Sequence, residues 1–411
     1  MASRPEERAA FIEGLDVSAY GSARSLGREG VPVYALNDRL RDALQFSRYY
    51  RKCFLYPDDP AQARAYAGDS VANEDVLLEL LLQWGREFHV KPVLFATSDW
   101  FSRFVSNRAK ELAANFLFHW VPTELFTTII DKGKMARFCG QHGIRVPRTH
   151  ATTPDDDVAR LAREFPYPCL VKPIHRYTTA FPLGTAKVFV AHQPGELERF
   201  FQQHSQLKGA ALVQELIEGG DDQVFQCTAL VDMRGEIAAY STVRKLSQYP
   251  VGYGSMCYGR TERNDELKGE AFKLLQALGY KGLGSLEFKY RRSDGGYYFI
   301  EMNTRLPWYN GLFADAGVNL AWLAYCDLTG QKSPATKQVD GVTWMSYQNY
   351  SKWYGEAGRQ SGTSPIRFAR AVTGATSYAW WNRSDPRPFL ATAGYAARRS
   401  VGAVLRRLGL R

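Results

Sequence analysis

Apolar and polar positions alternate between two rhythms in the first 122 residues. GLDVSAYGSARSLGREG (14–30) sets small and apolar residues at helical spacing, and VPVYAL (31–36) follows as a short buried-strand pattern. NEDVLLELLLQWGREF (73–88) predicts a helix behind an Asn cap, and KPVLFATSDW (91–100) predicts a strand ending at a polar turn. Strands alternating with helices imply a parallel sheet, whose ligands sit at the carboxyl ends of its strands. Ser98 and Asp99 stand at such an end, although Asp99 would serve equally well as the cap of the next helix.

The texture changes near residue 122. VPTELFTTIIDKGKMARFCGQHGIRVPRTH (121–150) combines helix, helix stop at His142-Gly143 and an extended segment bounded by Pro147. Strand patterns follow at 168–174, 210–217, 223–232, 236–243, 283–290 and 297–303. They predict a second, mixed α/β region running to about 330. The tail from 331 is less regular and rich in Trp and Tyr. Near its end, apolar residues at 390, 393, 397, 401, 404, 405 and 408 recur at helical spacing beside the arginine pairs 398–399 and 406–407.

Charge sharpens this division. The 411 residues carry a formal +10, and from residue 357 onward ten arginines face one acid, Asp385. The tail thus holds +9 and the remaining chain is nearly neutral. Hydrophobic content of 45% and charged content of 23% fit a globular protein and exclude disordered or collagen-like classes. The six cysteines are widely spaced without a CxxC pair, which predicts buried thiols in a reducing compartment. With no apolar run of spanning length and no secretory leader pattern, the expected location is cytoplasmic.

The most informative stretch is SLEFKYRRSDGGYYFIEMNTR (285–305), two strand patterns around an SDGG turn. A hairpin centred on Asp294 pairs Glu287 with Glu301. Alternation then puts Leu286, Phe288, Tyr290, Tyr298, Ile300 and Met302 on one face and Glu287, Glu301 and Asn303 on the other. Opposed carboxylates about 5 Å apart at Cβ destabilise each other, so a counter-charge is expected. Two carboxylates and an amide oxygen suit Mg²⁺, whereas the plain alternative is a solvated acidic face neutralised by Lys289. Upstream, Lys132 opens a helix in DKGK and Lys172 ends the buried strand PCLVKP. ALVQELIEGGDDQVF joins two strands through a polar linker, and STVRKLSQYP carries Arg244 and Lys245. Backbone groups of such a linker can read a flat heterocycle, and its acids can accept hydrogen bonds from a ribose.

In this order (DK, VKP, QELIEG with acids, RK, an acidic strand residue, ExN) the chain resembles the ATP-grasp superfamily between residues 131 and 305. It is most similar to carboxylate–amine ligases of the D-aspartate ligase type. The preceding segment, with SRYYRKCFLYPD and LFATSDW, resembles the pre-ATP-grasp domain of those enzymes, extending the likeness to about residues 12–330. The resemblance implies an α/β and α+β architecture. A pre-ATP-grasp parallel α/β domain (1–122) would precede a two-lobed ATP-grasp domain (123–330, lid about 150–215), with a mixed basic extension at 331–411.

The same resemblance implies roles, position by position. Lys132 and Lys172 would hold ATP phosphates, while Gln214, Glu215 and Ile217 would contact the adenine edge. Asp221 or Asp222 would take the ribose, and Arg244 or Lys245 would meet the transferred phosphoryl group. Glu287, Glu301 and Asn303 would ligate Mg²⁺, with Mn²⁺ as a substitute. Arg305 would face the acceptor carboxylate or the γ-phosphate. Asp99 and the Trp308-Tyr309-Asn310 stretch are candidates for the substrate pocket, with core packing the alternative for the aromatics. Relatives with a glycine-rich loop after VK differ from the PIHRYTTAFPLG found here, where His175, Arg176 or Thr178 would take over the phosphate cradle.

The implied reaction is ATP-dependent ligation of a carboxylate to an amine through an acylphosphate. Carbamoyl-phosphate-synthase-like phosphoryl transfer and a silent nucleotide binder acting through its basic tail are the alternatives. No Ser-His-Asp set or HExxH spacing supports a hydrolase. The basic tail suits a helix docked on the protein, an anionic membrane surface or, least well, nucleic acid. A homodimer is the family expectation.

Overall fold

The computed structural model describes residues 8–38, 40, 43–57, 73–174 and 188–394. The segment after Lys172 that holds His175, Arg176 and Thr178, and most of the basic amphipathic end, lie outside the described residues. Four strands, the largely buried β1 (Ala10–Glu13), β2 (Val33–Asn37) and β4 (Val93–Phe95) and the half-exposed edge strand β3 (Tyr50–Leu55), form a parallel sheet in the order β3-β2-β1-β4. Helices α1 (Val17–Gly27), α2 (Glu74–Gly85), α3 (Asp99–Asn107) and the short α4 (Ala109–Leu112) accompany it. Because β2 and β4 flank β1 on opposite sides, the strand order reverses beside β1, and a crevice opens at its carboxyl end. The residue standing there is Glu13, followed by Gly14 at φ +90°, where a side chain would be strained and a Cβ would lie 3.1 Å from the Thr97 hydroxyl.

Helices α5 (Thr123–Ile130) and α6 (Lys132–Gln141) lead into a small antiparallel sheet in the order β5-β8-β6-β7. Its strands are β5 (Thr149–Ala151), β6 (Cys169–Pro173), β7 (Phe189–Ala191) and β8 (Ala211–Glu215). With α7 (Val158–Glu164) and α8 (Pro194–Gln203) it buries a core of its own, including Phe165, Val171, Leu197, Phe200 and Val213. The chain then enters a seven-stranded sheet in the order β13-β12-β9-β10-β11-β14-β15. Its strands are β9 (Val224–Val231), β10 (Ile237–Tyr249), β11 (Ser255–Thr261), β12 (Gly282–Arg291), β13 (Gly296–Asn303), β14 (Thr343–Met345) and β15 (Ser377–Tyr378). Helices α9 (Asp265–Ala277), α10 (Gly311–Asp315), α11 (Leu320–Thr329), α12 (Tyr347–Trp353) and α13 (Pro365–Gly374) complete the order.

Two findings differ from the sequence pattern. Residues beyond 331 are woven into the large sheet, since β14 pairs with β11 and β15 with β14, while Phe368, Ala371 and Tyr378 pack beside Tyr350 and Trp353. The hairpin also contains a bulge. Glu287 faces Glu301, but Phe288 faces Phe299, so Ile300 is the extra residue. The shift puts Tyr297 and Phe299, not Tyr298 and Ile300, on the buried face with Leu286, Phe288 and Met302. The two aromatic rings gain a place in the core at the expense of one unpaired ladder position.

One face of the first sheet has its own core, with Phe11, Leu36 and Phe54 against Trp84, Trp100 and Phe104, while its other face shares a core with the large lobe. Ala10, Ile12, Val33 and the inner face of α1 pack in one cluster with Leu230, Val243, Leu283, Leu312 and Trp344. All six cysteines are free, and burial pushes the thiols of Cys139, Cys169, Cys227 and Cys257 up to about 12, which excludes them as thiolates near neutral pH.

Candidate active site

The hairpin face that carries Glu287 and Glu301 looks away from the apolar core containing Phe288 and Phe299, as strand alternation requires. On the neighbouring strand β9, Gln226 pairs in register with Glu287 and donates to its Oε2 at 2.7 Å. Lys245, buried on β10, reaches the same oxygen at 2.8 Å. Arg244 belongs to the other face of β10, over the Phe225 ring, and pairs with Asp222 and Glu262. The structure therefore brings Lys245, and not Arg244, to the acidic pair.

Among the described residues no group of three or more His, Cys, Asp or Glu side chains gathers to hold a metal ion. A divalent cation here would rely on the opposed Glu287 and Glu301, on Asn303 two positions along β13, and on oxygens from a bound phosphate. That is a hard-oxygen set of the kind Mg²⁺ accepts. The donors fit the ion.

The lysines come from two further elements. Asp131 caps α6, accepting from Gly133 N and Lys134 N at 2.9 Å each, and so fixes Lys132 as the first helical residue. The Lys132 ammonium approaches the Ile174 carbonyl at 3.5 Å. Lys172 on β6 donates to Gln214 Oε1 at 2.7 Å, and Gln214 in turn donates to the Thr149 hydroxyl at 2.9 Å. Burial, reinforced by the neighbouring Lys132 charge, lowers Lys172 to about 7 even though Glu301 and Glu287 pull it upward.

Downstream of β8 the linker is tied to the large sheet. Glu215 accepts from Arg148 N at 3.0 Å and is paired with Arg291, and Ile217 is buried. Asp221 accepts from the Gln248 backbone at 3.1 Å and from its amide at 2.8 Å. Asp222 stays half-exposed beside Arg244. Lys289, on the same face as Glu287, donates to the carbonyls of Gly219 and Gly220 at 2.7 and 2.6 Å. Burial lowers its pKa against the pull of Asp221, Asp222 and Glu287.

A cleft open to solvent brings some of these residues together. Lys132, Gln214, Glu301, Asn303 and Asp99 supply its polar lining, and Ile129, Met135, Val146 and the bulged Ile300 supply an apolar wall. At its far end the first sheet contributes. Ser98 caps α3 by accepting from Phe101 N at 3.1 Å, which leaves Asp99 to bind Arg305 Nε at 2.6 Å. Burial works against the Arg305 charge, but Asp99, Asp16 and Glu13 more than offset it and hold its pKa raised. Glu13 accepts from the backbone and hydroxyl of both Thr97 and Ser98 at 2.9–3.1 Å. Burial still raises its pKa to about 7.

Of the aromatic candidates, Trp308 packs edge-on against Trp344 with centroids 6.4 Å apart, outside the cleft lining. Asn310 donates to the Ser18 carbonyl at 2.8 Å and joins the large lobe to α1. Tyr309 is buried with a hydroxyl that finds no hydrogen-bond partner, and burial together with nearby Glu287 pushes its pKa well up. Sequence reasoning missed Glu13, Gln226 and the role of Lys289. The one available signal for Glu13 was an acid closing the short apolar run AFIE before a glycine.

A family model described as the carbamoyl-phosphate synthase L chain, ATP binding domain, matches residues 259–323. The carbamoyl phosphate synthase large chain of Hyperthermus butylicus is 25% identical over 213 residues, 49% of this chain and 19% of that protein. The chain thus spans about a fifth of the length of such curated relatives. Among solved structures, a biotin carboxylase–nucleotide complex from Campylobacter jejuni is similar with a TM-score of 0.62 and 18% identity, covering 81% of this chain and 74% of that one. An L-amino acid ligase from Bacillus licheniformis is similar with a TM-score of 0.58 and 16% identity, covering 79% and 75%.

Proposed function

We propose that the chain, whose fold is similar to that of a biotin carboxylase and an L-amino acid ligase, is an ATP-grasp enzyme: an ATP- and Mg²⁺-dependent ligase joining a carboxylate to an amine. A carboxylate resists amines because its carbon is electron-rich and oxide is a poor leaving group. Transfer of the γ-phosphoryl group gives an acylphosphate, from which the amine displaces phosphate to leave an amide. Phosphoryl transfer is promoted by positioning and by neutralising the transferring oxygens.

In this reading Lys132 and Lys172 bind the phosphates and Lys245 neutralises charge at the transferred group. Gln214, Glu215 and Ile217 bracket the adenine, and Asp221 or Asp222 takes the ribose. Glu287, Glu301 and Asn303 would hold Mg²⁺, which would supply further neutralisation at the phosphates. The small sheet, with its own core, closes as a lid over the nucleotide and excludes water from the acylphosphate. Arg305 receives the acceptor carboxylate, and the acids around it favour an incoming amine.

One observation carries the reading. Lys132, Gln214, Glu301 and Asn303 share a single cleft with Asp99, whose partner Arg305 supplies a cation where that cleft meets the first sheet. Phosphate release from ATP and Mg²⁺, measured against carboxylic acids and amines offered singly and in pairs, tests it. Release that requires both partners, and that Glu301→Ala abolishes with the circular-dichroism spectrum unchanged, is the expected result. Full turnover in Glu301→Ala would remove the metal assignment. The matched segment 259–323 favours a second reading, phosphoryl transfer to a carboxylate or bicarbonate alone, which release without any amine would support. No release with any pair would point to a silent nucleotide binder.

A further inference from the structure

The C-terminal segment returns to the first sheet and is pinned there. Asp385, fully buried, accepts from the Ser47 hydroxyl at 2.6 Å and from Arg48 N at 3.2 Å, and Ser384 meets the Tyr49 hydroxyl at 2.9 Å. Around this buried anchor the surface is both apolar and basic. Phe46, Trp381, Phe389 and Leu390 are 46%, 40%, 37% and 61% exposed, and the Trp381 and Phe389 rings touch at 5.3 Å. Arg48, Arg383 and Arg387 are exposed among them.

The acid that could offset those charges is turned inward. Asp385 is the one acid after residue 356, and it is spent on the anchor. The sequence that continues beyond residue 394 adds five arginines and no acid. Large side chains held out into water by a fixed anchor are unfavourable unless something apolar receives them, and they do not serve a partner that offers only phosphates.

We propose that this face docks on an anionic phospholipid bilayer, with Phe389, Leu390 and Trp381 entering the headgroup region and the arginines meeting lipid phosphates. The combination is that of an interfacial surface. Apolar residues supply the insertion energy, and cations supply attraction that falls with salt. Nucleic acid would use the arginines and leave the exposed leucine and aromatic pair without a role. The docking is independent of the ligase assignment, because none of these residues lies in the cleft.

Co-sedimentation of the full chain with phosphatidylglycerol-containing vesicles, against pure phosphatidylcholine vesicles, tests the proposal. Partition onto the anionic vesicles only, weakening as salt rises, is expected. The double substitution Phe389→Asp, Leu390→Asp should lower partition on the order of tenfold, and Arg383→Glu, Arg387→Glu by at least as much. Both variants should keep the wild-type circular-dichroism spectrum and thermal unfolding midpoint. Three outcomes overturn the proposal: no partition onto anionic vesicles; equal binding to a single-stranded RNA with no effect of the apolar substitutions; or binding lost only when residues 395–411 are removed.

Discussion

Nucleotide binding should draw a proton from solution in alkaline conditions, and Lys172 is the group that takes it. In the free protein this lysine sits near 7, lowered by burial and by Lys132. A bound triphosphate supplies several negative charges and should return it to the ordinary lysine value of about 10.4. At about pH 6 the free lysine is already some 90% charged, so binding takes up only about 0.1 proton; at about pH 8.5 uptake approaches one. The dissociation constant should consequently rise about 50-fold between about pH 7 and pH 9, equivalent to about 2.3 kcal/mol. Calorimetric titration with a non-hydrolysable ATP analogue, in two buffers of different ionisation enthalpy, reads the uptake directly. The triphosphate itself has already lost its protons at the upper pH. Lys172→Arg keeps a charge that does not titrate and should abolish the buffer dependence. An enthalpy independent of buffer in the wild type, or a slope that survives in Lys172→Arg, would refute the argument.

Glu13 gives a second pH signature, read from stability. Its carboxyl is raised from the ordinary 4.5 to about 7, so the folded state holds more protons than the unfolded one between those values, and stability should fall as pH rises through that window. The fall is at most about 3 kcal/mol, and urea unfolding of Glu13→Gln should show it flattened; an unchanged pH slope would dismiss the assignment. Asp99→Asn should leave nucleotide binding intact while raising KM for the acceptor, because it loosens the Arg305 guanidinium without touching the lysines. Equal losses in nucleotide affinity and acceptor KM would place the pair elsewhere in the reaction.

Much of this arrangement was legible before any coordinates, and the misses have physical causes. Glu287 opposite Glu301 could be read, but only because two departures cancel: from Phe288 to Arg291 the pairing lies one residue off the register centred on Asp294, and the bulge restores it at Glu287. The bulge at Ile300 could not, because it arises from the fit of Tyr297 and Phe299 into a core shared with α9 and the neighbouring strands. Lys245 and Arg244 were inseparable in sequence, since adjacent strand residues differ only in face. The structure shows β10 running to Tyr249, about six residues beyond its apolar pattern, so both cations sit within the strand. The strand β1 is four residues long, too short for a periodicity signal, and that hid Glu13 at its carboxyl end. The weaving of β14 into the large sheet depends on β11, more than 80 residues away, and β15 follows by pairing with β14, which no local pattern reports.

The common core between the first sheet and the large lobe has a consequence for how such a protein can change its substrate. Ile12 and Val33 rest on the same cluster as Leu283 and Trp344, and Asn310 and Asp315 hold α1 by hydrogen bonds and ion pairs. Exchanging the first 122 residues for those of a relative would strip that cluster on both sides, whatever the merit of the incoming pocket. Under the proposed reading, a change of acceptor is expected from single substitutions around Asp99 and its partner Arg305, with the scaffold kept. The small sheet, closed around its own core, is the part that could be transplanted whole.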